Sequence, residues 1–247
     1  MALKNPILAI NNLHVAYPDN RDVLKGASFS IERGHLVSLV GTNGSGKTTL
    51  LNAISGMLRY DGGIIKRGEI EFKGRKIHNL PPLHIIREGI VHILEGRKEF
   101  SSLTIEENLR LGASARQGRP AKTGIDMIYN YFPALLPRKK TKAFDCGMGE
   151  LQILAMGRAL MAQPELILLD EPYQRISPVL AEELFTAIKR INRDKGITFI
   201  FVERDPIMSF QMADDVYSIT NGEIFKQDKL GSIHQASTPG LNNKDFR

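Results

Sequence analysis

Apolar and polar positions alternate loosely from residue 7 to residue 35. Leu8, Ile10, Leu13 and Val15 recur at near-even spacing, and Phe29 and Ile31 do the same. A period near two predicts strands with one buried face. Leu36 to Val40 is a short apolar run that stops at Gly41, the pattern of a strand covered on both faces. Gly46 to about Met57 predicts a helix. Ile70 and Phe72 alternate with charges before Lys73-Gly74, the turn of a hairpin. Pro81-Pro82 breaks the chain, and Gly89 to Leu94 fits another buried strand.

The stretch from about 95 to 148 predicts mostly helix. Thr104 and Glu107 have the spacing of a capping box that starts a helix at Ile105. Arg138 to Lys142 is strongly basic, a solvated loop or helix end. Leu151 to Met161 is apolar nearly all round, as in a buried helix. Leu166 to Leu169 is apolar and ends in Asp170-Glu171-Pro172. Leu180, Leu184, Phe185, Ile188 and Ile191 lie at helical spacing, and Gly196 ends that helix. Ile197 to Val202 is strand-like, and Asn221-Gly222 turns a final hairpin. From Gly231 the tail is polar and little order is expected. Strands alternating with helices predict an α/β fold with a mainly parallel sheet. An antiparallel β subdomain precedes a helical lobe inserted at about 82–150. The expected organisation is one domain over 1–230 and a polar tail over 231–247.

A length of 247 residues suits one large α/β domain or a core with a modest insert. No apolar run approaches the roughly 18 residues of a membrane span, and the first residues lack the pattern of a signal peptide. The single cysteine, Cys146, excludes an internal disulfide and fits a reducing compartment. The cytoplasm is therefore the expected location. The net charge is +6. That balance suits nucleic acid, anionic lipid, bound nucleotide or merely a solvated lysine-rich surface, and charge does not separate them.

The segment GTNGSGKTT matches the phosphate-binding P-loop pattern, between a buried strand and a helix. Gly41, Thr42, Asn43, Gly44, Ser45 and Gly46 form a loop whose backbone N–H groups can turn toward one anion. The helix N-terminus adds partial positive charge. Lys47 has the reach for the β- and γ-phosphates, and the Thr48 hydroxyl, beside Thr49, is a magnesium ligand. Such a loop requires an acid at a strand end beside it. Asp170 fits as the second magnesium ligand, and Glu171 as the carboxylate that orients an attacking water.

The pairing of GTNGSGKTT with LILLDEP across a helical insert resembles the ABC ATPase family from about Leu8 to Lys229. The blocks LEGRKEFSSLTIEENL and ELQILAMGRALMAQPELILLDEP are similar to those of ATP-binding subunits of branched-chain amino-acid importers, as is NLPPLHIIREGI. The resemblance implies a P-loop ATPase core that hydrolyses ATP with Mg2+ to drive transport. It implies Tyr17 as the residue that stacks on adenine, the alternative being a strand-end tyrosine packed on a hairpin. It puts Glu95 at the family's Q-loop position, where it joins the catalytic and metal-binding set. It also implies a head-to-tail dimer with a second ATPase subunit, identical or not. Integral membrane permease subunits are the other implied partners, at the inner face of the membrane, with no direct nucleic-acid contact.

Three segments depart from the family pattern. The signature, normally LSGGQ or LSGGE, aligns with Cys146-Gly147-Met148-Gly149-Glu150, so only Gly149 and Glu150 match. Gly147, Gly149 and Glu150 nevertheless join the expected nucleotide-binding set, acting on the partner's ATP. The segment after Pro172 is Tyr173-Gln174-Arg175-Ile176 in place of small residues. Arg204 occupies the position of the switch histidine, either holding a γ-phosphate or solvated at a strand end. Elements that hold nucleotide within this chain are intact, and those facing the partner are altered. Two function classes follow: an ATPase subunit energising an amino-acid importer, or an ATP-binding regulatory subunit with weak turnover. A soluble ABC ATPase acting on nucleic acid would be favoured by two tandem cores, and one is present.

Overall fold

The structure is a computed structural model that describes residues 6–18, 22–94, 100–114, 121–173, 176–204 and 206–227. In chain order its elements begin with β1 (Leu8–Ala16), β2 (Asp22–Ile31), β3 (Leu36–Val40), α1 (Lys47–Ser55), β4 (Ile64–Phe72) and β5 (Arg75–Lys76). There follow α2 (Pro82–Glu88), β6 (Ile90–Ile93), α3 (Ile105–Ala113), α4 (Ala121–Tyr131), α5 (Met148–Met161) and β7 (Leu166–Asp170). The chain closes with α6 (Pro178–Lys195), β8 (Thr198–Glu203), α7 (Pro206–Met212), β9 (Asp215–Thr220) and β10 (Glu223–Gln227).

Two sheets organise these elements. The smaller is antiparallel, in the order β2-β1-β4-β5. The larger runs β10-β9-β3-β8-β7-β6, parallel except for the β9–β10 hairpin that Asn221-Gly222 turns. Strands β3, β7 and β8 are buried at every residue, because both faces of a parallel sheet carry layers. Their side chains divide by parity between two cores. Leu166, Leu168, Ile200 and Val202 pack with Leu50, Leu51 and Ile54 of α1 toward the antiparallel sheet. Ile167, Leu169, Phe199 and Phe201 pack with the lobe helices and α6 on the other face.

The helix signals are realised as hydrogen bonds. At the start of α3 the Thr104 hydroxyl accepts the Glu107 N–H at 3.2 Å, and the Glu107 carboxylate accepts the Thr104 N–H at 2.7 Å. Ser177 caps α6, and Gly196 ends it in the left-handed conformation. The basic stretch at 138–142 is a loop anchored by its backbone: the carbonyls of Lys139 and Thr141 accept the N–H groups of Glu106 and Ile105.

Within the stretch 82–150 expected as an inserted lobe, the first part belongs to the sheet layers. Strand β6 pairs with β7, and α2 packs on β6 and α1. The helices that pack on one another are α3, α4 and α5. The described part of 95–148 is also less helical than expected, with turns and two short 3-10 segments between α4 and α5. The polar tail over 231–247 lies outside the described residues.

Candidate active site

Strand β3 delivers the Gly-rich loop to the C-terminal end of the parallel sheet, and α1 begins at Lys47. Gly46 sits at φ 108°, a left-handed conformation that side chains resist. No side chain caps α1 and its first turn carries no acid, so its first N–H groups remain available to an anion. Thr42, Asn43, Gly44 and Thr48 are exposed, while the buried Ser45 hydroxyl has no hydrogen-bond partner. Lys47 folds back over the loop, donating to the carbonyls of Gly41 at 2.7 Å and Thr42 at 2.9 Å. Burial pushes its ammonium below the ordinary lysine range. Glu171 pulls it back up, Arg204 presses it down, and Asp170 and Glu203 pull up more weakly. The Tyr17 hydroxyl lies 3.3 Å from the Thr49 hydroxyl, so the half-buried tyrosine ring stands at the side of the loop helix.

The acids arrive from the neighbouring strand ends. Asp170 closes β7 opposite Val202 of β8, and Asp170 and Glu171 lie at the same C-terminal end of the parallel strands as the loop. In the sheet order β8 lies between the loop-bearing β3 and the acid-bearing β7. Asp170 is buried. Glu171 has φ 45°, a conformation that costs a non-glycine residue energy and recurs at functional sites. Its N–H donates to the Val202 carbonyl at 3.2 Å. Its Oε1 accepts from Arg204 Nε at 2.8 Å, and its buried Oε2 has no partner. Tyr173 is buried against the lobe core with its hydroxyl unpartnered. Burial drives that phenol far above its ordinary range, helped by the charge of Glu203.

The turn before α5 is built differently. Gly147 caps the helix and Met148 is 44% exposed. The Gly147 N–H donates to Glu150 Oε2 at 2.9 Å, and Arg138 Nη1 grips both oxygens of the same carboxylate. Arg138 Nη2 also donates to the Asp145 carbonyl at 3.0 Å. Gly149 is buried, and a Cβ there would stand 2.4 Å from Leu180 Cδ1 of α6. Glu150 and Gly149, expected to face a partner's nucleotide, are thus engaged inside their own chain: one caps α5, the other lets α6 approach. Gly147 is exposed.

A sequence model of the ABC transporter family matches residues 24–174, from β2 through both acids and the turn before α5. The chain belongs to the ABC transporter family. A high-affinity branched-chain amino acid transport ATP-binding protein, BraG, of Pseudomonas aeruginosa is 35% identical over 205 residues, 83% of this chain and 85% of the relative. A probable branched-chain amino acid transport ATP-binding protein, LivF, of Archaeoglobus fulgidus is 31% identical over 212 residues, covering 86% and 84%. A nucleotide-free ATP-binding cassette from an ABC transporter superposes with a TM-score of 0.82 at 26% identity, over 95% of this chain and 96% of the other. Another cassette, solved in its ADP conformation, gives 0.78 at 27%, over 90% of each. This chain is accordingly an ATP-binding subunit of the ABC type, an ATPase by family.

As an ABC cassette, the chain brings Gly41–Thr49, Asp170, Glu171 and Arg204 to the C-terminal end of the parallel strands of the larger sheet, with Tyr17, which follows β1 of the smaller sheet, against Thr49. Glu95 lies outside the described residues, as do Gln174, Arg175 and Asp205. Sequence reasoning gave Glu203 no role, read Tyr173 only as a bulky replacement and Arg138 only as part of a solvated basic run. Glu203 shares the parity of Phe199 and Phe201, which would have directed it to the lobe side of β8. Arg138 belongs to a basic run whose pairing depends on a turn that no periodicity reveals.

Proposed function

We propose that this chain binds and hydrolyses MgATP and energises an ABC importer for branched-chain or other amino acids. The observation that carries the reading is Lys47 bent over an uncapped helix N-terminus within electrostatic reach of Asp170, Glu171 and Glu203. Gly41 to Thr49 wrap the phosphates, and Lys47 exchanges the two loop carbonyls for the β- and γ-phosphate oxygens. Tyr17 stacks on adenine, which agrees with its place beside Thr49. Glu171 orients the attacking water.

Among the described residues no three His, Cys, Asp or Glu side chains cluster as a ready metal cage. Magnesium does not demand one, since it commonly takes one or two protein oxygens, waters and substrate phosphates. The exposed Thr48 hydroxyl and the buried Asp170 carboxylate are hard oxygen donors that fit this description, and Glu95 completes the proposed set. Bound there, the cation supplies charge neutralisation for the transferred phosphoryl group.

The substrate class rests on relatives named as branched-chain amino acid transport ATP-binding proteins. No helix among the described residues is long and apolar enough to cross a membrane. The proposed partners are therefore integral permease subunits and a second ATPase subunit, with this chain peripheral on the cytoplasmic face. The test is steady-state ATPase with and without the membrane subunits. A rate that depends on Lys47 and rises on assembly is expected; a rate indifferent to both contradicts the reading. A second reading, a regulatory subunit with weak turnover, is favoured by the Glu150 carboxylate held by Arg138 and the Gly147 N–H. Full turnover of the partner's site in the assembled complex would remove it.

A further inference from the structure

We propose that Arg204 is a latch on Glu171 that a γ-phosphate opens, an inference that rests on the ATPase reading above. A backbone bond and a side-chain bond help tie the ends of β7 and β8 together here. The Glu171 N–H donates to the Val202 carbonyl at 3.2 Å, and Arg204 Nε donates to Glu171 Oε1 at 2.8 Å. The backbone bond fixes Glu171 at φ 45° with its carboxylate turned inward, 11% exposed, while Arg204 is 52% exposed and has room to swing. Arg204 directly follows Glu203, the β8 residue paired with Val40 where β3 runs into the Gly41–Thr49 loop. A phosphate drawn to Lys47 is therefore within the field of Arg204.

The chemistry gives the latch its selectivity. A guanidinium bonded to a carboxylate occupies one of the oxygens that would accept a proton from water. A γ-phosphate is a competing acceptor with more charge and matching fork geometry. ATP then draws Arg204 off Glu171 and frees the base in the same movement, whereas ADP lacks the group that does so. Arg204 is in this account a positioning residue for Glu171 in the empty site.

The latch predicts non-additivity in binding. The full-length chain is titrated with a non-hydrolysable MgATP analogue and with MgADP. Glu171→Gln removes the charge that holds Arg204, so the analogue binds about three- to tenfold tighter, the exposed side of the arginine leaving the pair partly screened, and MgADP changes less than about twofold. In the Arg204→Gln background Glu171→Gln gives no such gain, and in the Arg204→Lys background part of it returns. Simple relief of repulsion between Glu171 and the nucleotide would persist without Arg204, so an equal gain in the Arg204→Gln background overturns the latch. Equal tightening of both ligands overturns it as well. If the parent binds neither ligand, or binds both without regard to Lys47→Ala, the ATPase reading falls and the latch with it. Lys47-dependent binding without the non-additivity removes the latch alone.

Discussion

Helices α1 and α5 both begin at a glycine cap, and they treat their first turns in opposite ways. At α1 the cap is Gly46, no side chain returns to the backbone, and no acid occupies the first turn. At α5 the cap is Gly147, and Glu150 bends back onto its N–H with Arg138 on the carboxylate. A helix N-terminus attracts an anion because its N–H groups lack partners. The first helix leaves that demand for a ligand; the second meets part of it with its own glutamate. The contrast agrees with a proposed nucleotide site at the P-loop end and a less open helix start at the signature end.

The open end should fail hardest when its chemistry is removed. Glu171→Gln keeps the shape and loses the base, so turnover is expected to fall about 10²- to 10⁴-fold while equilibrium nucleotide binding survives. Single-turnover hydrolysis beside binding isotherms checks this; normal turnover would take Glu171 out of the reaction.

The closed end should be partly recoverable. Gly147→Ser with Met148→Gly returns a hydroxyl and a close backbone approach. A charge-assisted hydrogen bond of roughly 1.5–3 kcal/mol, acting in the transition state, corresponds to about 10- to 150-fold in rate. Steady-state ATPase of the assembled dimer should rise toward that range, with the native partner present because this turn is proposed to act on the partner's nucleotide. An unchanged rate would mean that Arg138 and Glu150, rather than the missing hydroxyl, set the limit.

Two smaller effects sharpen the boundary between the regions. Tyr17→Ala should weaken nucleotide affinity about tenfold through lost stacking, read as a larger loss for ATP than for inorganic triphosphate. Equal losses would reduce Tyr17 to a packing residue. Gly149→Ala places a methyl against Leu180 and should cost about 1 kcal/mol by overpacking, a fall in Tm of roughly 2–4 °C. Nucleotide affinity of the isolated chain should not move. A loss of affinity with no change in Tm would mean that Gly149 serves the nucleotide instead of the α5–α6 contact.

The strand, loop and helix from Leu36 to Ser55 were legible because each residue type there answers a local demand: a buried run, glycines at a tight turn, a lysine at the helix start. The capping box at Thr104 and Glu107 was legible for the same reason. The insertion of β8 between β3 and β7 was not, since strand order is decided by crossovers that leave no mark on periodicity. The stretch 82–94 looked like the beginning of a lobe because a helix signal does not say which layer the helix joins. Glu150 is the sharper lesson. Its match to the signature pattern suggested a partner-facing role, while its capture depends on Arg138, brought to it by the turns between α4 and α5. Glu203 is buried at the last position of β8, and Tyr173 is buried against the lobe core three residues after β7 ends.

The central claim is that nucleotide enters this chain at the uncapped end of α1 and not at the self-capped end of α5. A MgATP titration of the isolated chain tests it most directly. The account predicts saturable binding in the micromolar-to-millimolar range, weakened at least about tenfold by Lys47→Ala through loss of charge-assisted phosphate contacts. It also predicts no change with Gly147→Ser and Met148→Gly. An affinity untouched by Lys47→Ala, or one that shifts with the α5 turn, would contradict it.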